Sequence, residues 1–135
     1  MFEMKQFRLD GLTALVIGGG SGIGREIALG FRSAGATVLV SGRDEAKLAA
    51  VSGELGQAVR ASYPGDARSV SGLAKIADAI EADHGALSIL VNSQGTTTIK
   101  PALEFSEGEY DAILDTNLKS VFFACTTFGR RMVER

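Results

Sequence analysis

The sequence predicts an α/β protein built on a doubly wound parallel sheet with helices on both faces. Three observations carry that prediction. Short apolar runs of strand length alternate with longer segments of helical periodicity. The runs are apolar almost throughout, as in strands covered on both faces. The first run is followed at once by five glycines in seven positions, Gly18 to Gly24, and then by a helical pattern. Right-handed crossovers make double winding the natural topology.

Thr13-Ala14-Leu15-Val16-Ile17 reads as a buried strand, too short for a helix and bounded by Gly11 and Gly18. Ile23, Ile27, Ala28 and Phe31 then recur at helical spacing, and the pattern stops at Ser33-Ala34-Gly35, with the glycine placed as a C-cap. Thr37-Val38-Leu39-Val40-Ser41 is the second strand. Residues 44–55 form a polar-faced helix with Leu48, Val51 and Leu55 inward and Asp44 as its N-cap. Residues 58–62 are the weakest strand, and residues 87–91 the strongest. Between them Ser69 caps a helix carrying Val70, Leu73, Ile76 and Ile80 that ends near His84-Gly85. His84 suits the negative end of that helix dipole and is read as structural. A loop over residues 93–103, containing Pro101, leads into one long helical pattern from Glu107 to the end.

The 135 residues fit one domain, spanning 1–135, without internal repeats or linkers. A formal net charge of -2 argues against a nucleic-acid partner, which calls for a basic face. No apolar run reaches spanning length, so no membrane partner is expected, and MFEMKQFRLDG has no signal core. Cys125 is the only cysteine, which excludes internal disulfides and a cysteine-cluster metal site. It is expected as a small buried residue of the last helix, and a cytoplasmic location is the default. No metal is predicted.

Glycine costs backbone entropy, so a cluster beside a strand implies a sharp turn or a close approach. A helix start presents unpaired N–H groups and the positive end of the dipole. The amides around Ser21, Gly22, Ile23 and Gly24 are therefore candidates to bind a nucleotide pyrophosphate. A tight βα turn with nothing bound is the alternative, and the strand–loop–helix context favours the nucleotide.

The spacing G-x-x-x-G-x-G resembles the fingerprint of the short-chain dehydrogenase/reductase family, T-G-x-x-x-G-x-G. Gly18, Gly22 and Gly24 match its glycines, with Gly20 inside the loop and Ile17 in place of the usual threonine. Leu90-Val91-Asn92-Ser93-Gln94-Gly95 stands where the family has L-V-N-N-A-G; Asn92 and Gly95 match, and Gln94 is bulkier than the family's alanine. The resemblance implies a Rossmann-type fold and a bound pyridine dinucleotide. It implies that the segment from Asn92 to Gly95 lines the cofactor's ribose, and that Asp66 holds the adenine ring. A solvated turn aspartate is the alternative for Asp66.

The end of the second strand separates NADP from NAD, because an acidic residue there accepts from the ribose 2′-OH and repels a 2′-phosphate. Here Gly42 stands where NAD-preferring relatives carry aspartate, and Arg43 where NADP-preferring relatives carry arginine. A guanidinium forks onto phosphate oxygens, and Ser41 adds a hydroxyl; the alternative is that Arg43 merely begins a surface helix, where a cation opposes the dipole. NADP is preferred over NAD.

The family's chemistry is hydride transfer to or from a small carbonyl or secondary-alcohol substrate, with a tyrosine–lysine pair four residues apart and a serine. Tyr63 is followed four residues on by Ala67, and Tyr110 by Leu114, so neither is that pair. Tyr110 is expected to pack against its helical neighbours. Asn117 matches the family's catalytic asparagine, which sits where the fifth helix is distorted and a freed carbonyl holds a relay water. An asparagine merely exposed on the helix is the alternative. The resemblance covers the whole chain but only the first half of the family's domain, and the sheet is expected to be truncated after about four strands. It implies a homodimer or homotetramer through the C-terminal helix, with burial of that helix against the remainder of the family's domain as an equal alternative. The competing function is a dinucleotide-binding or interaction module that catalyses nothing.

Overall fold

A computed structural model describes residues 4–135. Four strands, β1 (Thr13–Ile17), β2 (Thr37–Gly42), β3 (Ser62–Pro64) and β4 (Ile89–Asn92), form one sheet in the order β3-β2-β1-β4. Every pairing is parallel. The helices are α1 (Gly22–Ser33), α2 (Glu45–Leu55), α3 (Val70–His84), α4 (Glu107–Leu114) and α5 (Ser120–Val133). The chain winds outward from β1 through β2 to β3, then crosses back to place β4 on the other side of β1. The strand order therefore reverses beside β1, where open α/β sheets leave a crevice at the carboxyl ends.

The alternation of side chains along each strand divides the apolar residues between two cores. Leu15, Ile17, Leu39 and Tyr63 pack with Leu73, Ile76 and Ile80 of α3 and with Ala124 and Phe128 of α5. Val16, Val38 and Val40 pack on the other face with Ala28 of α1 and Leu48, Val51 and Leu55 of α2. Both faces are thus covered, which is why the strands lack polar alternation.

Local signals set the helix ends. The Asp44 carboxylate accepts from the Lys47 amide at 3.0 Å, and the Ser69 hydroxyl from that of Gly72 at 3.0 Å. After α1, Ala34 is the cap residue and Gly35 follows at φ 105°.

Several expectations shift. The third strand is Ser62–Pro64, later than residues 58–62. The Val40 amide donates to the Ala61 carbonyl at 2.7 Å, but nearer the start of β2 a side chain replaces a strand. The Gln57 amide accepts from the Val38 N–H at 3.1 Å and donates to the Val38 carbonyl, so residues 58–60 stay off that edge. The fourth strand is Ile89–Asn92, since its register begins at Ala14↔Ile89; it extends one residue beyond the predicted 87–91 and starts two later. The long final helix is interrupted by a π-helical turn, Asp115–Lys119, where the Ser120 amide reaches back to the Asp115 carbonyl. Tyr110 is exposed rather than packed, and so is Cys125. Among the described residues no helix is long and apolar enough to cross a membrane.

Candidate functional site

The crevice at the β1 switch point has a volume of about 830 Å³. It runs from Arg43 and Asp66, after β2 and β3, across the glycine loop to Gln94 and Thr116.

The loop is tied down from β2: the Gly18 and Gly19 amides donate to the Ser41 carbonyl at 2.8 and 3.3 Å. Gly24 lies so close to the Gly18 carbonyl that any Cβ there would collide with it. Gly22 differs, because its φ of 53° is left-handed while nothing lies within 4 Å of where its Cβ would stand. Its bare surface opens on the crevice instead of on protein. Ser21, the N-cap of α1, makes no capping hydrogen bond, and the first turn of α1 has no acidic residue. The helix start is therefore uncapped by side chains and electropositive, which fits an anion. Ile23, counted in the inward pattern, is instead 77% exposed at this mouth.

Arg43 lines the far end and makes no hydrogen bond or ion pair with any described residue. Arg25, Arg60, Arg68 and Arg131 are all paired. Asp44, beside Arg43, spends its carboxylate on the start of α2, with Lys47 Nζ at 3.9 Å. Asp66 also lines the crevice, and the Arg68 guanidinium holds its carboxyl below the usual carboxylate range, Arg43 adding a smaller pull.

Not every residue singled out in the sequence reaches the cavity. Gly18, Gly20, Ser21, Gly22, Ile23 and Gly24 line it, as do Arg43, Asp66 and Gly95. The Ser41 side chain is buried in the sheet, and what Ser41 offers the loop is its carbonyl. Asn92 lies behind the wall, where its side chain donates to Cys125 Sγ at 3.4 Å and accepts from Gln94 Nε2 at 3.2 Å. Asn117 sits within the π-turn, and its amide grips both backbone groups of Thr96, each at 2.8 Å. It thus fastens the loop after β4 to the distorted helix. Tyr63 is buried away from the crevice; its hydroxyl donates to Asp83 at 2.7 Å, and burial, more than that bond, pushes its pKa up.

Gln94 lies in the segment expected to line the ribose, but its bracing role did not show in the sequence, and Arg68 was not singled out there at all. Gln94 Nε2 donates to Asn92 Oδ1 and to Ser120 Oγ at 3.1 Å, bracing β4 against α5, while its Oε1 is buried without a partner. Arg68 lines the crevice mouth beside Asp66. The only sequence signal for it is its position two residues after an aspartate in a turn. Among the described residues no group of three or more His, Cys, Asp or Glu is placed to hold a metal ion.

A parallel sheet with this winding, and a glycine loop opening a helix at its switch point, defines a Rossmann-type α/β protein. The chain belongs to the short chain dehydrogenase family, whose pattern it matches over residues 12–135. Galactitol 2-dehydrogenase (L-tagatose-forming) of Cereibacter sphaeroides is 41% identical over 130 residues, covering 96% of this chain and 50% of that protein. D-threitol dehydrogenase of Mycolicibacterium smegmatis is 38% identical over 131 residues, covering 95% and 50%. The solved NADP active-site complex of Pseudomonas aeruginosa RhlG superposes with a TM-score of 0.86 at 31% identity, over 93% of this chain and 49% of that one. The chain spans about half the length of the curated relatives it matches.

Proposed function

We propose that this chain is the cofactor-binding half of an NADP-dependent oxidoreductase, which exchanges hydride between the nicotinamide and a small carbonyl or secondary-alcohol substrate. The similarity to two polyol dehydrogenases points to a hydroxylated carbon chain as that substrate. The observation that carries the reading is Arg43, an unpaired guanidinium after β2 in the same crevice as the glycine loop. Arg43 is exposed in the crevice, where its planar guanidinium fork can take the oxygens of a 2′-phosphate.

In this reading the amides from Ser21 to Gly24 bind the diphosphate, and the bare Gly22 admits it to van der Waals distance. The segment from Asn92 to Gly95 borders the ribose that follows. The bound nicotinamide supplies or accepts the hydride. Asn117 takes the family's relay position, with its side chain already committed to Thr96 and only its backbone left for a water. No tyrosine in the chain has a lysine four residues later, so these 135 residues alone bind the cofactor without turning substrate over. Subunits pair through the outer face of the last helical stretch, where Leu118 is 65% and Phe122 60% exposed, four residues apart.

The test is a calorimetric titration of wild type and Arg43→Ala with NADPH and NADH. A lost fork of charge-assisted bonds should weaken NADPH roughly ten- to a hundredfold. NADH, which lacks the phosphate, should change little. Equal losses for both would overturn the assignment.

A further inference from the structure

Ser120 repairs the helix where the π-turn interrupts it. In a regular α-helix its N–H would bond the Thr116 carbonyl four residues back, but here it reaches the Asp115 carbonyl. The Ser120 hydroxyl takes the carbonyl so abandoned, donating to Thr116 at 2.5 Å. One buried residue thus serves both carbonyls.

That hydroxyl is itself held from the sheet. Gln94 Nε2 donates to Ser120 Oγ at 3.1 Å and to Asn92 Oδ1 at 3.2 Å. A serine hydroxyl has one proton, so while Ser120 Oγ accepts from Gln94 that proton is directed to Thr116. Turning the Gln94 amide over would give its buried, unpartnered Oε1 the Ser120 proton. It would also set Oε1 against Asn92 Oδ1 and strip the Thr116 carbonyl, so the two donor bonds hold the amide as it stands. An alanine at this position, as in the family's pattern, could make neither bond.

The Gln94 backbone is pinned as well. A Cβ on Gly18 would stand 2.7 Å from the Gln94 amide nitrogen, so the glycine loop lies directly on this peptide. Asn117, next to Thr116 in the π-turn, grips Thr96, two residues after Gln94. The loop after β4 and the π-turn are therefore tied twice, through Gln94 to Ser120 and through Thr96 to Asn117. Gln94, Thr116 and Ser120 all line the crevice.

Resting on the dinucleotide reading above for what the crevice does, we infer that Gln94 is a positioning residue of the proposed reaction. Through Ser120 it keeps the π-turn in shape, and so sets where Asn117 stands against the loop after β4.

The experiment measures amide hydrogen exchange by NMR on the ligand-free chain, for wild type, Gln94→Ala, Gln94→Met, Ser120→Ala and the Gln94→Met/Ser120→Ala double variant. Methionine keeps the length of the side chain but donates nothing. The Thr96 and Ser120 amides should exchange about tenfold faster in both Gln94 variants, while Leu15 and Val16 of β1 keep their wild-type rates. Ser120→Ala should have a similar effect, and the double variant should add little to it. The Thr116 carbonyl carbon should move upfield in Ser120→Ala, and part of that way in Gln94→Met, where the hydroxyl proton is free to rotate. Wild-type rates in Gln94→Met would show that packing alone holds the turn, overturning the inference. So would an equal acceleration at Leu15 and Val16, which would make Gln94 a contributor to overall stability only. Additive losses in the double variant would overturn the route through Ser120. No ligand is present in these measurements, so they stand apart from the dinucleotide reading, which the NADPH titration tests by itself.

Discussion

Gly22 and Arg43 illustrate how differently single residues declare themselves. A glycine that needs a left-handed φ and also faces open crevice is constrained twice, by the backbone and by what comes near it. Gly22→Ala should cost about 1–2 kcal/mol of stability through the unfavourable φ. Its effect on dinucleotide affinity should be larger, because the added methyl enters the crevice; parallel thermal melts and titrations separate the two. A variant that melts early yet binds normally would place the diphosphate elsewhere. Gly22 and Arg43 were visible in the sequence because loop spacing and strand position are one-dimensional facts. Arg68 was not, and of Gln94 only its place in the loop after β4 was, because their partners are brought together by folding. An arginine two residues after an aspartate is common, and only its place at the crevice mouth makes it notable. The unpartnered Gln94 oxygen likewise exists only because Asn92 and Ser120 both present acceptors to the other end of that amide.

At the scale of elements, periodicity was enough wherever a whole strand or helix buries one face. β1, α2 and α3 stand where their apolar spacing puts them, with Leu48, Val51 and Leu55 turned inward. It failed at the weakest strand, because a single side chain, Gln57, takes the place of backbone at the edge of β2. Gln57→Leu should leave both Val38 groups unpaired and destabilise the fold by about 2–4 kcal/mol, measured as a shift in urea midpoint. Periodicity also ran through the π-turn unbroken, since one extra residue in a turn does not abolish an apolar face. The start of α4 offers a test in pH. Glu109 completes a capping box with Ser106 and accepts from Lys100 Nζ at 2.7 Å, bonds that bring its pKa from 4.5 down to about 2. A carboxyl lowered on folding stabilises most above its unfolded pKa and loses that contribution as pH falls through the folded one. The stability gap between wild type and Glu109→Gln should thus close as pH falls from about 5 to about 2, followed by helical circular dichroism. A gap that stays constant over that range would assign the stabilisation to packing.

For the whole molecule, topology follows from a few rules once the elements are known. Parallel apolar strands need covering helices, right-handed crossovers fix the winding, and the reversal beside β1 fixes the crevice. What those rules leave open is whether the proposed subunit pairing occurs and through which outer surface. Leu118 and Phe122 stand on the outside of the final helical stretch while Ala124 and Phe128 face the core. Phe122→Lys should therefore lower the mass in sedimentation without lowering the melting temperature of the remaining monomer. An unchanged mass would overturn the proposed pairing through this face.

Each of the four strands hands its carboxyl end to a separate loop, and each loop contributes its own group to the crevice. The turn after β2 brings Arg43, that after β3 brings Asp66 and Arg68, and that after β4 brings Gln94 and Gly95. Of these turns only that after β3 reaches an apolar core, through Ala67 packed against its margin. On the proposed reading, cofactor preference and cofactor grip are written in separate pieces, and exchanging one short turn should retune one trait while the rest of the scaffold keeps its shape.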